Sequence, residues 1–279
     1  MFSVIIPAYN EENVIGRCLQ SLLDGARDGE MEVIVACNGC SDRTAERARA
    51  FGHPVQVVEI REASKTAALN AADRIAKGFP RLYVDADVIL PLESARKVVQ
   101  ALDQTDALLA SPVALTHTDL SSKAVQAFYD VWLRLPYNQV MVGTGVYALS
   151  EAGRRRFGKF PRIISDDGFV RTRFRAEERI AVRDAVVTVI APRTVTDLVK
   201  VKSRIHIGRH ELNTLYPAPE SDDPKRPLEI LGSLPWSVRL PFSLTVYILV
   251  NVAARLHARR RLRSGATALW DRDEAARAS

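Results

Sequence analysis

Cysteine is scarce in this chain: 279 residues hold three, Cys18, Cys37 and Cys40. So small and odd a number excludes a disulfide-framed secreted fold and points to a reducing compartment. Cys37-Asn38-Gly39-Cys40 has the spacing of a redox or zinc pair, yet zinc needs two further thiol or imidazole ligands nearby, and no second pair of this kind exists. The N-terminus lacks a basic stretch ahead of an apolar one and opens directly on the strand-like Phe2-Ser3-Val4-Ile5-Ile6. No secretory leader is read there, and a cytoplasmic location is expected. Long apolar runs are missing as well. The uncharged run 240–254 covers 15 residues and is interrupted by Pro241, Ser243, Thr245 and Asn251. As a helix it reaches ~22 Å against ~30 Å of hydrocarbon, so no membrane-spanning segment is expected. Internal repeats and low-complexity tracts are absent, which sets aside solenoid and disordered architectures.

What is present is an ordinary globular composition, 47% hydrophobic and 26% charged. The length suits one large α/β domain with an appendage: residues 1–215, whose halves divide near 105, and an extension over 216–279. A net charge of +6 and a pI near 9.4 suit an anionic partner. Nucleotide diphosphates, acidic lipid headgroups and nucleic acid all qualify, and charge alone does not choose among them.

The first hundred residues alternate strand and helix. Residues 4–6, 32–36, 55–60 and 82–84 are short apolar runs, with helices expected at about 11–23, 42–51 and 64–76. Val14, Ile15, Cys18, Leu19, Leu22 and Leu23 recur at helical spacing, with Asn10 as the expected N-cap and Glu11 and Glu12 complementing the helix dipole. Repeated βα units with continuous apolar strands imply a parallel sheet covered on both faces, with ligands beyond the carboxyl ends of its strands. Residues 7–11, 38–42 and 85–87 all fall at those ends. The second half is less regular. It shows strand patterns at 107–115, 146–149, 180–182 and 186–190, helix patterns at 120–135 and 194–215, a basic stretch over 153–162, a short helix opening at Asp166-Asp167, and a proline-rich loop at 217–227.

Asp85-Ala86-Asp87 sets two carboxylates on alternate positions just past a buried strand. In extended backbone both face one side, which suits a hard divalent cation with oxygen ligands. Such a cation, Mg2+ or Mn2+, bridges the phosphates of a nucleotide sugar and stabilises the departing diphosphate. Aspartate is common in surface turns, so the triplet alone reads as two solvated carboxylates. Its weight comes from its neighbours.

Ile5-Ile6-Pro7-Ala8-Tyr9-Asn10-Glu11-Glu12 resembles the opening signature of family 2 glycosyltransferases with the GT-A fold. Agreement continues at Asn38-Gly39-Cys40-Ser41-Asp42-Arg43-Thr44, at Lys65-Thr66-Ala67-Ala68-Leu69-Asn70 and at the Asp85 triplet, strongly over 1–90 and more loosely over 140–215. The resemblance implies an α/β, Rossmann-like GT-A fold: a mostly parallel central sheet flanked by helices, with a C-terminal helical extension. It also implies roles. Pro7, Ala8, Tyr9 and Glu11 would hold nucleobase and ribose, although plain packing suits Tyr9 as well. Asn38 stands where many relatives carry an Asp that accepts the uracil imide proton; an amide both donates and accepts, which leaves the nucleobase open. Lys65 matches a lysine near base and phosphates. Asp85 and Ala86 belong to the donor site, Asp85 facing ribose or metal, and Asp87 is the surer metal ligand. Leu69 and Asn70 are implied to be structural, Asn70 orienting the metal loop.

Asp166-Asp167 resembles the family's acidic acceptor motif, usually Glu-Asp. Direct displacement needs a base to take the acceptor proton. The alignment prefers Asp167, with Asp166 as runner-up; the competing role for Asp166 is to cap the helix that follows. Gly143-Thr144-Gly145 resembles the small-residue stretch beneath the acceptor. On the 194–215 helix, Arg204 is a candidate to neutralise the diphosphate and His206 or His210 a candidate metal ligand, against the plainer reading of a solvated charged face. The Gln-x-x-Arg-Trp element of processive polysaccharide synthases is missing, which favours a single sugar addition. The implied reaction inverts the anomeric centre, and the implied acceptor is a sugar, a lipid-linked or a small-molecule hydroxyl, in bacterial polysaccharide, glycolipid or other glycoconjugate synthesis. A retaining transferase shares the donor motifs. Nucleotidyl transfer would show a Gly-rich basic loop after the first strand, which 7–12 is not. A polyanion-binding module fits the pI but leaves the carboxylates at strand ends unexplained, and no nucleic acid partner is expected.

Residues 228–254 are apolar, punctuated by Pro235 and Pro241, and Arg255, Arg259, Arg260, Arg261 and Arg263 follow. A short apolar helix beside a basic stretch suits peripheral contact, through 228–263, with the inner face of a cell membrane; the alternative is a helix packed on the catalytic domain or on another subunit, with a solvated arginine tail. Trp270-Asp271-Arg272-Asp273-Glu274 resembles the tails of some bacterial sugar transferases and has no assigned mechanism.

Overall fold

Strands β1 (Phe2–Ala8) and β2 (Met31–Asn38) are buried at every position. Such unbroken apolar runs belong to strands covered on both faces, and the two pair in parallel with Ala8 opposite Cys37. The computed structural model describes residues 1–135, 145–217 and 240–264. The chain divides into two compact units, one of Met1–Leu115 with Met141–Val189, the other of Thr116–Val140 with Ile190–Ala278. The remaining strands are β3 (Val55–Ile60), β4 (Arg81–Val84), β5 (Leu109–His117), β6 (Val146–Leu149) and β7 (Arg179–Ile190). The helices are α1 (Ile15–Leu23), α2 (Thr44–Arg49), α3 (Lys65–Ile75), α4 (Leu92–Gln104), α5 (Lys123–Trp132), α6 (Glu151–Arg154), α7 (Asp166–Arg171), α8 (Val195–Leu215) and α9 (Leu240–Arg263).

The first unit is built on a seven-stranded sheet of order β3-β2-β1-β4-β6-β5-β7. β1 to β4 run parallel to one another, while β6 is antiparallel to both β4 and β5. This is the mostly parallel α/β sheet that the βα alternation predicts. Ile15, Cys18, Leu19 and Leu22 of α1 are fully buried in its core, each leucine worth about 1.5–3 kcal/mol on burial. Because Ile5 pairs with Tyr83, Asp85 leaves the sheet level with Pro7, and residues 38–41 leave beside 8–10.

Three local expectations change. α1 begins at Ile15, and Val14, not Asn10, precedes it. Asn10 instead takes φ 51°, the left-handed conformation that asparagine tolerates, and spends its amide on Ser41. The strand patterns at 180–182 and 186–190 are one strand, β7; it lies at the sheet edge, where exposed Arg183 and Asp184 reach solvent without breaking it. Residues 92–104, to which the sequence reading assigns no element, form α4, burying Leu92, Ala95, Val98 and Leu102.

In the second unit Val125 and Phe128 of α5, Leu198 of α8 and Val250 of α9 share one core, with Phe128 stacked on Tyr247 at 5.1 Å. Thr194 caps α8, its hydroxyl accepting from the amide of Asp197. α9 runs for 24 residues, straight through the arginines, and by length and composition is long and apolar enough to cross a membrane: mean hydropathy is 1.3 over its best 18-residue window, 22% of it buried. The 15-residue uncharged run understates it, because an apolar helix does not stop at its first charge and arginine stems extend its greasy surface.

Candidate active site

The turn after β1 and the loop after β2 are sewn together by short polar contacts. Nδ2 of Asn10 donates to Oγ of Ser41 (3.0 Å), and the Ser41 amide donates back to Oδ1 of Asn10 (2.7 Å). The amide of Glu11 donates to Oγ1 of Thr44 at 2.7 Å, and that of Glu12 to the Asp42 carboxylate at 3.1 Å. Cys40 joins them: its Sγ accepts from the Asn10 amide and donates to the Ala8 carbonyl, and Cys37 bonds it from below, holding the Cys40 thiol down at about 7. Pro7 and Ala8 end β1 within the buried core, Tyr9 is half-buried on the turn, and Glu11 is 6% exposed. Asn38 is 1% exposed. With its amide oriented to satisfy its neighbours, nitrogen donates to the Ala8 carbonyl at 2.6 Å and oxygen accepts from the Ser64 amide at 3.1 Å. Both ends of this amide are committed to backbone, so Asn38 clamps three loops together.

β4 delivers Asp85 and Asp87 half-buried on either side of the buried Ala86. The Asp85 amide donates to the Gly145 carbonyl at 2.8 Å, and the Cys18 thiol reaches the Asp85 carbonyl from α1. Gly145 has φ +72°, and a Cβ there would meet Val88 at 2.7 Å and the Asp85 carboxylate at 3.4 Å. Glycine is required at that contact. Gly143 and Thr144 lie outside the described residues.

Lys65 opens α3, which Ser64 caps through the Ala67 amide. Its ammonium lies 2.7 Å from Asp85 Oδ1 and 2.9 Å from Asp166 Oδ1. Burial pushes the ammonium down, but Asp166 and Asp85 outweigh it and hold Lys65 above the usual lysine range. Asp166 is 2% exposed; burial raises its carboxyl to about 6, with Lys65 pulling down and Asp167 and Asp85 pushing up. Asp166 is the first residue of α7, and Ser165 precedes it without a side-chain cap bond, so the capping role falls away. Asp167 is more open. Its Oδ1 accepts from Ser165 Oγ (2.9 Å) and the Gly168 amide (2.7 Å), leaving Oδ2 without a hydrogen bond among the described residues.

One support was not legible in sequence, and another braces a different segment from the one expected. Tyr147 donates to Asp166 Oδ2 at 3.4 Å and stacks on Tyr83 at 4.9 Å, a consequence of the antiparallel β4–β6 pairing. Asn70 exchanges two hydrogen bonds with the Phe160 backbone, so it braces the segment leading to α7 and not the Asp85 loop. Leu69 is fully buried core.

Residues 3–157, more than half of the chain, match Glycosyl transferase family 2. The chain belongs to this family. Over 110 residues it is 34% identical to the uncharacterized glycosyltransferase YfnE of Bacillus subtilis, covering 38% of this chain and 28% of YfnE. The match thus spans little more than a quarter of that relative. Among solved structures, the mannosyltransferase PcManGT of Pyrobaculum calidifontis, in complex with GDP-Man and Mn2+, superposes with a TM-score of 0.59 at 24% identity, covering 95% of this chain and 79% of that one. Glucosyl-3-phosphoglycerate synthase of Mycobacterium tuberculosis, in complex with Mn2+, UDP and glucosyl-3-phosphoglycerate, gives 0.56 at 20% identity, covering 79% and 81%. Likeness at these identities is one of fold, and the family 2 chain has the GT-A architecture its motifs imply.

Arg204 and His206 of this family 2 chain sit half-buried on α8, in the second unit. Burial lowers the His206 imidazole, and Arg255, Arg209 and Lys202 lower it further, surroundings that disfavour added positive charge. His210 is exposed on the same helix. Among the described residues no three His, Cys, Asp or Glu side chains gather as a ready metal cluster. Asp85 and Asp87 stand as a pair of hard oxygen donors, and the Lys65 ammonium against Asp85 shows that this carboxylate accepts a cation.

Proposed function

We propose that this family 2 chain moves one sugar from a nucleoside-diphosphate sugar to an acceptor hydroxyl, with inversion at the anomeric carbon and a requirement for Mg2+ or Mn2+. The observation that carries the reading is the Lys65 bridge: a carboxylate of the donor motif and one of the acceptor motif meet on a single ammonium at 2.7 and 2.9 Å. The complexes of PcManGT with GDP-Man and Mn2+, and of the synthase with Mn2+ and UDP, support the donor class and the metal.

Asp85 and Asp87 would hold the cation, as suits a hard ion with carboxylate oxygen donors. When bound, it supplies Lewis-acid stabilisation of the leaving diphosphate. Lys65 adds a second positive charge beside that group. The turn at 7–11 and the loop at 38–41, locked to each other by Asn10, Ser41 and Cys40, form a rigid floor for base and ribose. Asn38 serves that floor through the backbone it clamps.

Asp167 takes the acceptor proton through the oxygen that Ser165 and Gly168 leave open. The acceptor oxygen bonds to the anomeric carbon as the bond to diphosphate breaks, and the electron pair leaves with the diphosphate. Asp166 is committed to Lys65 and Tyr147 and acts as the anchor of this pair. The acceptor is a sugar, lipid-linked or small-molecule hydroxyl of glycoconjugate synthesis. Asp167→Asn tests the assignment: kcat should fall by roughly 10²–10⁴ while donor binding persists, and the product of the native chain should show the inverted anomer by NMR. A retained anomer would overturn the single displacement.

A further inference from the structure

Helix α9 buries one side and leaves the other bare. Leu240, Ser243, Val250, Ala254 and Ala258 are buried against a packing that includes α5 and α8. Phe242, Ile248, Leu249, Val252 and Leu256 face solvent, 47–62% exposed. Positions 242, 249 and 256 recur at sevens, with 248 and 252 between them, so these side chains form one stripe along the helix. Single exposed apolar residues are ordinary, but a continuous stripe of large ones marks an interaction surface.

Charge identifies what covers it. α9 contains no acidic residue, and Arg255, Arg259, Arg260, Arg261 and Arg263 crowd its last nine residues. An apolar stripe continuous with concentrated positive charge matches an anionic bilayer, whose acyl boundary and headgroups supply both complements within one surface. The packing also decides between lying on the bilayer and crossing it. α8, which packs along α9, carries Lys200, Arg204, Arg209, His210 and Glu211, and Asp130 of α5 accepts a hydrogen bond from Ser243 of α9. A spanning α9 would drag these polar groups into hydrocarbon at a cost the fold does not offset.

We propose that α9 lies in the plane of an anionic membrane surface, its stripe at the acyl boundary and its arginines among the headgroups. The inference stands apart from the donor-site reading, and its test needs no sugar substrate. The full chain is mixed with vesicles of pure phosphatidylcholine, or of phosphatidylcholine with phosphatidylglycerol, and bound protein is measured by flotation. The chain should float with the anionic vesicles and stay down with neutral ones, and added salt should release it. Leu249→Asp, at an exposed position, should abolish flotation with an unchanged thermal midpoint. The double reversal Arg259→Glu/Arg260→Glu should weaken it by about tenfold or more. Failure to float on anionic vesicles would overturn the proposal, as would equal flotation of native chain and L249D. So would a native dimer in sedimentation equilibrium that L249D dissociates while vesicles capture nothing, since the stripe would then be a self-interface.

Discussion

Lys65 is held against two carboxylates that arrive from the two chain segments of the first unit, Asp85 after β4 and Asp166 at the start of α7. Removing it leaves Asp166 buried without its cation, and breaking a buried pair on one side costs about 3 kcal/mol. Lys65→Met should therefore lower unfolding free energy by about 3 kcal/mol at pH 8, read by urea titration. The sign of its pH dependence follows from Asp166. Its carboxyl is raised from 3.8 to about 6 on folding, so the folded state binds the proton more tightly and stability falls as pH climbs between those values. Without Lys65 the folded value rises further, and the loss should be smaller at pH 5 than at pH 8. Equal losses at both would separate Lys65 from Asp166. Gly145 makes a second residue-scale test. Gly145→Ala forces a left-handed alanine into Val88 and should cost about 1–3 kcal/mol, with a drop in donor turnover through the displaced Asp85 loop.

Elements were legible where their physics is local. β1, β2 and β4 announce themselves as apolar runs, and the residues at their carboxyl ends are those the motif pattern marks. Where a side chain answers to a distant partner, local reading fails. Asn10 looks like a cap until Ser41 arrives from the next loop, and Tyr147 becomes part of the site only because β6 returns antiparallel to β4. The same non-locality governs α5 and α8, whose contact encloses Lys202. Its ammonium is 4.2 Å from the Trp132 ring centre and 5.1 Å from that of Phe128, with no carboxylate against it among the described residues. Burial lowers this ammonium from 10.5 to about 7. Between those values the unfolded chain binds more protons, so stability rises with pH; below pH 7 the folded state bears the full cost, which the aromatic rings offset in part. Lys202→Met should raise the thermal midpoint at pH 6 by about 5 °C and give a smaller gain at pH 10. A lower midpoint at pH 6 would show that the rings more than compensate the buried charge.

At the scale of the whole molecule, the fold and the family were readable because four motifs sit in order at successive strand ends of one sheet. The lining of the site was read less fully. Asn38 was legible as a departure from the family pattern, but its commitment to the Ala8 and Ser64 backbone depends on loops that only folding brings together. The length of α9 was obscured by the arginines that end its uncharged run. The central claim is a metal-dependent donor site built on Asp85 and Asp87, and one measurement bears on it most directly. UDP-, GDP- and TDP-sugars are titrated calorimetrically into the full chain and into Asp87→Ala, each with and without Mn2+. The native chain should bind one nucleotide class, with affinity that collapses on chelation, and the Asp87→Ala chain should lose the metal-dependent part while keeping its thermal midpoint within a few degrees. A native chain that binds no nucleotide sugar with or without Mn2+, or an Asp87→Ala chain that binds as the native one does, would contradict the account.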